Sequence, residues 1–493
     1  MFEVADIILQ RVIFSASAKM DERLFYRSLG PVENKKECFV IKKGSIVSTD
    51  TYMNSFDCWA WNKYTGQQNW VLKVKIQGDF FIRLCAWDGK KKLILQENSI
   101  DAKDIFRDVV ISFQGAAKTG LIFLEIEAVS DTCLYQAAYC LNEEKLAVRK
   151  IQLSLIICTY QRNQELYANL ERIKESLFFD KDSSYYGGMC VRIVDNASEL
   201  PKNIEQAGIY LYHNPNTGGS GGFTRGVLES RQDEKRDGIT HVIFMDDDAR
   251  VELESFYRLY GLLCFVLPKY RDVVVAGRMF SLEEPCVQYT AAECWNQGDV
   301  RHVGYQQDMR ERSGLLEMNQ SLGEYSGWWF ACFPMSFVRE EIPLPFFIHC
   351  DDVEYGLRHG GKPILLNGIQ VWHETYENRQ SAFIYYYDIR NAMIVNTIYG
   401  FCESGKELLK KWLLRVMYDF RAKKYFSLYP SLQAMIDYCK GREFFFAYTE
   451  KKEKLALQRT FAGLFVMVMI CIRLPVFWIK INRAFQSFKE INT

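Results

Sequence analysis

The sequence predicts a chain in three parts: an antiparallel β-sandwich, an α/β layer with a mostly parallel sheet, and a helical carboxyl-terminal region. In the first part, short β-branched and aromatic runs are separated by polar turns. From Leu153, continuous apolar runs alternate with segments of helical character. From Lys406, apolar residues recur at helical spacing between basic residues. We place the three parts at residues 1–150, 151–400 and 401–493.

Composition excludes several classes of protein. The 493 residues hold 61 Lys and Arg against 61 Asp and Glu, so a dedicated nucleic-acid binder is not expected. With 48% hydrophobic and 25% charged residues, a largely disordered chain is not expected either. The 15 Cys are scattered without a C-x-x-C pair, and no secretory signal is evident at the start. These features predict a reduced, cytoplasmic protein.

The predicted sandwich rests on strand-like runs at residues 70–76, 80–84 and 120–126. Sandwiches of this kind often bind carbohydrate. A structural or oligomerisation module is the alternative, and it leaves open whether the protein is a homo-oligomer.

The α/β part places its polar residues where sheet ligands bind. The predicted elements, in order, are a strand at 153–158, a helix at 163–177, strands at 190–195 and 209–212, a helix at 222–231 and a strand at 241–246. Ligands of such sheets lie at the carboxyl ends of the strands. This rule selects Thr159 to Arg162, Asp195 and Asp246 to Asp248 as candidate site residues.

Three consecutive carboxylates, Asp246, Asp247 and Asp248, follow an apolar strand. Burying such a group without a partner is costly, so the pattern favours a bound cation. Oxygen ligands suit Mg²⁺ or Mn²⁺, which are often shared with a substrate diphosphate. His373, at another predicted strand end, is a candidate nitrogen ligand that favours manganese. A solvated acidic turn and a hydrogen-bonded core histidine are the alternatives.

A glycine-rich loop at residues 214–226 precedes a predicted helix. Its glycines allow close backbone approach, and the helix start offers amide donors to an anion. It matches neither a dinucleotide fingerprint nor a P-loop. With Arg225 in the segment, a phosphate or sugar contact is favoured over a flexible hinge.

A second acidic cluster contains Asp351, Asp352 and Glu354. Partial desolvation and a neighbouring like charge raise a carboxylate pKa toward the range of a general base. The alternative is a helix start that favours acids through its dipole. Nearby, Trp328 and Trp329 can stack on a sugar face or pack in the core.

The carboxyl-terminal region is basic and apolar. From Lys406 onward, 17 Lys and Arg face 7 Asp and Glu, so this region carries +10 and the rest −10. Residues 461–472 form a 12-residue apolar run, shorter than the roughly 20 residues of a membrane span. An interfacial helix or a buried core helix is predicted, and an anionic membrane face is the expected partner.

Together these motifs resemble family 2 glycosyltransferases and, more narrowly, the bacterial galactofuranosyltransferases, including the polymerising mycobacterial enzyme. The motifs that carry the resemblance are 158-CTYQRN-163, 194-VDN-196, 216-NTGGSGGF-223, 246-DDD-248, 327-GWW-329, 351-DDVEYGLR-358 and 372-WH-373. The resemblance implies a GT-A catalytic domain between the sandwich and the helical region. His349 and Cys350 depart from the family pattern, in which an aromatic residue often precedes the acidic pair.

The resemblance also implies roles for individual residues. It implies that Asp352 is the catalytic base. It implies a divalent metal, Mn²⁺ or Mg²⁺, held by Asp246, Asp248 and His373. It implies an acceptor site formed by Asp351, Trp328, Trp329 and Glu354. It implies a donor site for the uridine and phosphates, formed by Thr159, Arg162, Asp195, Asn216, Gly219, Arg225, Asp246 and Asp247.

The implied activity is metal-dependent, inverting transfer of galactofuranose from UDP-galactofuranose to a lipid-linked or growing cell-envelope glycan. The implied location is the cytoplasm, at the inner face of the membrane. Two alternatives stay open: a family 2 transferase with another donor, such as a rhamnosyl or glucosyl donor, and a non-catalytic carbohydrate-binding protein.

Overall fold

The structure is a computed structural model of the 493-residue chain. It describes residues 8–14, 21–101, 105–114, 120–141, 148–316, 318–320, 322–375, 381–447 and 463–491. The acidic amino terminus, and Phe461 at the start of the apolar run, lie outside these residues.

The amino-terminal part forms two six-stranded sheets in which every strand pair is antiparallel, as the sequence predicts. Its strands are β1 (Ile8–Arg11), β2 (Arg27–Leu29), β3 (Val32–Asn34), β4 (Phe39–Ile41), β5 (Ile46–Ser48), β6 (Phe56–Asp57), β7 (Asn69–Gln77), β8 (Phe80–Trp87), β9 (Lys92–Ile100), β10 (Arg107–Gln114), β11 (Leu121–Ala128) and β12 (Thr132–Leu141), and its helix is α1 (Cys58–Thr65). On β7, Leu72, Val74 and Ile76 are buried while Lys73 and Lys75 are partly exposed. This alternation directs one face of the strand to a core that both sheets share.

The α/β part contains one ten-stranded sheet and a separate hairpin. Its strands are β13 (Leu153–Thr159), β14 (Met189–Asp195), β15 (Ile209–His213), β16 (His241–Asp246), β17 (Arg250–Val251), β18 (Val275–Ser281), β19 (Val287–Thr290), β20 (Glu293–Asn296), β21 (Asp299–His302), β22 (Gln307–Asp308), β23 (Ala331–Pro334) and β24 (Ile364–His373). Its helices are α2 (Asn163–Lys174), α3 (Gly218–Asp237), α4 (Leu253–Phe265), α5 (Met335–Glu340) and α6 (Asp351–His359).

The large sheet is mixed, so the prediction of a mostly parallel sheet is wrong for half of it. Strands β15, β14, β13 and β16 are parallel neighbours. Beyond β16, strand β23 runs antiparallel to both β16 and β18, and only β18 and β24 pair in parallel. The regular strand and helix alternation that predicts parallel pairing ends at α4, and short hairpin strands follow. The four parallel strands nevertheless align the ends of β13, β14 and β16.

The carboxyl-terminal part is helical. Its helices are α7 (Ala382–Ile398), α8 (Gly405–Arg421), α9 (Tyr425–Tyr438), α10 (Arg442–Ala447) and α11 (Gly463–Lys489). Helix α7 shares a hydrophobic cluster with α8, α9 and α11, so the helical packing begins before residue 401. The same cluster includes Phe346, Cys350 and Val353. The helices therefore support the segment that leads into α6.

Candidate active site

The predicted acidic residues gather around the thiol of Cys158, near the end of β13. Burial raises the pKa of this thiol well above its usual value, and Asp247, Asp246, Asp351 and Asp195 add to the rise in that order. Carboxylates from the ends of two strands, β14 and β16, and from α6 thus act on one thiol. The structure brings together the two acidic clusters that the sequence separates by about a hundred residues.

Asp246, Asp248 and His373 converge at the ends of β16 and β24. One ligand atom from each lies within 4.8 Å of the others. His373 Nε2 is 3.1 Å from Asp248 Oδ1 and 3.6 Å from Asp246 Oδ2. The Nδ1 of His373 contacts the carbonyl oxygen of Glu374 at 2.8 Å, so a proton on Nδ1 leaves Nε2 as an electron-pair donor. Two carboxylates and an imidazole fit a small divalent cation.

Asp247 is linked to this triad through Arg162. Its carboxylate is 3.3 Å from Arg162 Nη1, and the same guanidinium is 2.5 Å from Asp248 Oδ2. Burial, reinforced by the charge of Asp248, raises the pKa of Asp247 to about 6. The amide of Asn169, on α2, donates to the carbonyl oxygens of Asp247 and Ala249, each at 2.9 Å. The acidic turn is therefore held in place by α2, and Arg162 offsets part of its charge.

The glycine-rich segment starts helix α3 at Gly218, four residues earlier than predicted. Gly218 has φ +71°, and a Cβ there would lie 2.1 Å from the carbonyl oxygen of Phe347. The amide of Ser220 donates to that carbonyl oxygen at 3.2 Å, and the Ser220 hydroxyl donates to Asp351 at 2.8 Å. The glycines therefore allow α3 to pack against the segment that carries Asp351.

Several predicted donor residues have protein partners in this structure. Asn216 accepts a hydrogen bond from the amide of Gly218 at 3.1 Å. Arg225 pairs with Glu229 at 2.7 Å and lies over the ring of Tyr212.

Asp195 accepts hydrogen bonds from the amides of Ala197 and Leu200. Thr159 is buried, and Gly219 lies 3.7 Å, measured from an ideal Cβ, from the carboxylate of Asp351. Donor contacts for these residues stay predictions.

Asp351 and Asp352 form the first turn of α6, so the helix start and the acidic cluster coincide. Asp351 is 8% exposed and bonded to Ser220, whereas Asp352 is partly exposed and accepts from the amide of Val353 at 2.8 Å. Burial, followed by the charges of Asp351 and Glu293, raises the pKa of Asp352 well above its usual value. A carboxyl group of this kind can accept a proton from a hydroxyl group.

Glu354 and the paired tryptophans lie in the protein interior. Glu354 is fully buried, pairs with Arg358 at 2.5 Å and accepts from the hydroxyl of Tyr399. Trp328 packs among aromatic rings, and Trp329 donates to the carbonyl oxygen of Gly277 at 2.7 Å. With 5% and 1% exposure, these rings present no open face to a sugar in this structure. Their burial favours a packing role, so acceptor contacts of these three residues stay predictions.

The structure adds site residues that the sequence did not select. Ser220 lies within the glycine-rich motif, so its hydroxyl was a visible signal beside the glycines. Asn169 and Asn391, which donates to the carbonyl oxygen of His349, are polar residues inside helices, where no local pattern marks them. Asp388 on α7 bonds to His349, and this contact joins residues 39 positions apart.

Comparisons with known proteins show the class of enzyme to which this chain is similar. Residues 154–316 match the family Glycosyl transferase family 2, which implies the GT-A fold, and residues 9–142 match Galactofuranosyltransferase 2 N-terminal. The chain is 24% identical to galactofuranosyltransferase GlfT2 of Mycobacterium tuberculosis, over 91% of this chain and 75% of the relative. It is 28% identical to galactofuranosyltransferase GlfT2 of Mycolicibacterium smegmatis, over 49% of this chain and 39% of that relative.

Proposed function

Because this chain is a glycosyltransferase that contains a family 2 domain, we propose that it moves galactofuranose from UDP-galactofuranose to a hydroxyl group of a lipid-linked or growing glycan. This donor is proposed because residues 9–142 match a domain named for galactofuranosyltransferases, and because both relatives carry that name. The observation that carries the proposal is the grouping of Asp246, Asp247 and Asp351 around Cys158. This grouping supports the proposal that a cation-binding cluster and a general base belong to one site.

Asp352 is the proposed general base. It takes the proton of the acceptor hydroxyl while the hydroxyl oxygen attacks the anomeric carbon and UDP departs from the opposite face. One attack at that carbon inverts its configuration. The raised pKa of Asp352 suits a carboxylate that must hold a proton during the reaction. Asp351, which accepts a hydrogen bond from Ser220, is the proposed second carboxylate of the acceptor site.

Asp246, Asp248 and His373 are the proposed holders of Mn²⁺ or Mg²⁺. When bound, a divalent cation neutralises the charge of the departing diphosphate. Arg162, at the same edge of the sheet, is placed to contact the phosphates once its ion pair with Asp248 opens. Thr159, Asp195, Asn216, Gly219 and Arg225 complete the proposed donor site.

A panel of UDP- and dTDP-sugars tests the donor and the base together. We expect release of UDP from UDP-galactofuranose when a galactofuranose-containing acceptor is present. Asp352→Asn keeps the size of the side chain but removes the base, so turnover should fall about 10² to 10⁴-fold while donor binding persists. Preference for a rhamnosyl or glucosyl donor would contradict the proposed substrate, and full activity of Asp352→Asn would contradict the proposed base.

We further propose that the helical region docks peripherally on an anionic membrane through α11. Among the described residues, α11 is the one helix that is long and apolar enough, by length and composition, to cross a membrane. It is longer than the 12-residue run predicted, because the helix continues through Pro475. Only 22% of its most apolar 18-residue window is buried. The core-helix alternative therefore fits less well than an interfacial helix.

The two faces of α11 support an orientation parallel to the membrane. One face, with Phe477, Ile481 and Phe485, is buried in the cluster that includes α8 and α9. The other face exposes a row of apolar side chains: Leu464, Phe465, Val468, Ile472, Val476, Trp478 and Ile479. Lys406 lies 4.9 Å from the ring of Trp478, which places a basic group beside this row. Such a face suits insertion at the level of the lipid headgroups.

Flotation with liposomes tests this orientation. Ile479 is 77% exposed on this face. The substitution Ile479→Asp should abolish binding to vesicles that contain phosphatidylglycerol, because it places a charge on the inserted face. Ile94→Asp, at a 53% exposed residue of the sandwich, is the matched control and should bind normally. Equal binding of both variants would refute the proposed face.

A further inference from the structure

Residues 347–350, directly before α6, have an unusual backbone conformation, and hydrogen bonds from α7 hold it in place. Phe347, His349 and Cys350 have φ values of +76°, +63° and +63°, a region that is unfavourable for residues with a side chain. The amide of Asn391 donates to the carbonyl oxygens of Ile348 and His349, at 2.8 and 2.9 Å. Helix α7 thus fixes the direction in which this segment enters α6.

His349 is joined to α7 by its side chain as well. Its Nδ1 lies 2.5 Å from Asp388 Oδ1, and both side chains are partly buried, at 34% and 40% exposure. Burial opposes a charge on the ring, but Asp388, followed by Asp351 and Asp352, outweighs it and raises the pKa of His349. This shift favours the charged form of the ring, which lies two and three residues before the acidic pair in the chain.

The ionisable groups around the His349 ring are mostly acidic. Asp351 and Asp352 on α6 and Asp388 on α7 act on the His349 ring, Arg390 on α7 acts on the neighbouring Cys350, and Glu293 on β20 adds negative charge near Asp352. Burial raises the pKa values of Asp351 and Asp352, whereas the charge of His349 lowers both. His349 therefore opposes the proton uptake that burial favours.

We propose that His349, held by Asp388, is a positioning residue that orients the acidic pair and sets the lower pH limit of sugar transfer. The inference rests on the proposed function, because it takes Asp352 as the base. His349 acts through Asp351 and Asp352 and needs no contact with the sugar. Two observations support it: the ion pair with α7, and the hydrogen bonds of Asn391 that fix the same segment.

The pH dependence of kcat/KM in four variants and one control variant tests the inference. In His349→Gln the acid limb should move up by about one pH unit or more, which is at least about a tenfold loss on that limb, with little change on the plateau. Asp388→Asn should shift the limb in the same direction, and the double variant should shift it no further. His349→Lys restores a cation and should return the limb toward the wild-type position. His359→Gln, at the other end of α6, is the matched control and should leave the limb in place.

Two results would contradict the proposed role of His349. An equal loss of activity at every pH in His349→Gln and His349→Lys would show that the ring serves only as a contact or a support, and it would overturn the inference. An unmoved acid limb in His349→Gln would overturn it as well.

A second measurement separates this inference from the proposed donor. Nuclear magnetic resonance of the His349 ring, without any substrate, should give a pKa above the ordinary value of about 6.5 in the wild type and a lower pKa in Asp388→Asn. This titration stands even when the enzyme uses a donor other than UDP-galactofuranose. A wild-type ring pKa at or below the ordinary value would overturn the inference whatever the donor is.

Discussion

Substitution of Gly218 by Ala tests how helix α3 supports the acidic pair. Gly218 has φ +71°, and its new Cβ would lie 2.1 Å from the carbonyl oxygen of Phe347 and 2.6 Å from the carbonyl carbon. These are backbone atoms, so they cannot rotate away as a flexible side chain can. Because Phe347 lies four residues before Asp351, relief of the overlap must move the segment that enters α6.

Helix α3 supplies its own control at the opposite end. Gly238 follows the helix with φ +70°, and a Cβ there would meet nothing within 4 Å. Both substitutions carry the cost of a left-handed backbone, about 1 to 2 kcal/mol for a residue with a Cβ. Only Gly218→Ala adds steric overlap, which costs about 1 to 3 kcal/mol more.

Urea unfolding and steady-state kinetics should therefore separate the two variants. We expect Gly238→Ala to lose about 1 to 2 kcal/mol of unfolding free energy and to keep wild-type turnover. Gly218→Ala should lose more stability and about a hundredfold in kcat, since a displacement near 1 Å of a catalytic group has an effect of that order. Equal stability and equal turnover of the two variants would refute the proposal that the packing of α3 positions the acidic pair.

Three further predictions concern the metal site, the contact of Arg162 with the donor phosphates, and stability at acid pH. Chelation should abolish transfer, and Asp248→Asn should weaken Mn²⁺ binding in calorimetry; full activity in chelator would contradict the metal proposal. Arg162→Met should raise KM for the donor more than it lowers kcat, and an unchanged KM would exclude Arg162 from the donor site. His241 is 2% exposed, and burial, with the charge of Arg149, lowers its pKa to about 3. Between about pH 6.5 and 3, His241 binds a proton in the unfolded state but not in the folded state. The free energy of unfolding should therefore fall with decreasing pH by up to about 1.4 kcal/mol per pH unit. His241→Gln should flatten this slope in urea unfolding, and an unchanged slope would assign the acid sensitivity to other groups.

Local patterns in the sequence located most of the elements around the site. The apolar run at 153–158 became β13, and the acidic triplet follows β16 as expected. Whether each of these segments forms a strand or a helix could be predicted, because that choice depends on the periodicity of neighbouring side chains. The start of α3 was displaced, since the packing of Gly218 against Phe347 overrides the low helix propensity of glycine. The mixed order of the sheet was missed because pairing direction depends on contacts between distant strands.

The sequence by itself determined the glycosyltransferase class, the residues of the acidic clusters and the basic, apolar character of the helical region. The acidic clusters and the basic region follow from residue types at fixed spacing, and the class follows from the resemblance of the motifs to family 2 glycosyltransferases. Neither inference needs coordinates. Only the tertiary structure decided that Trp328, Trp329 and Glu354 are buried, that α11 exposes one apolar face, and that His349 pairs with Asp388. Burial and ion pairing are set by which distant segments meet, and no local pattern encodes that.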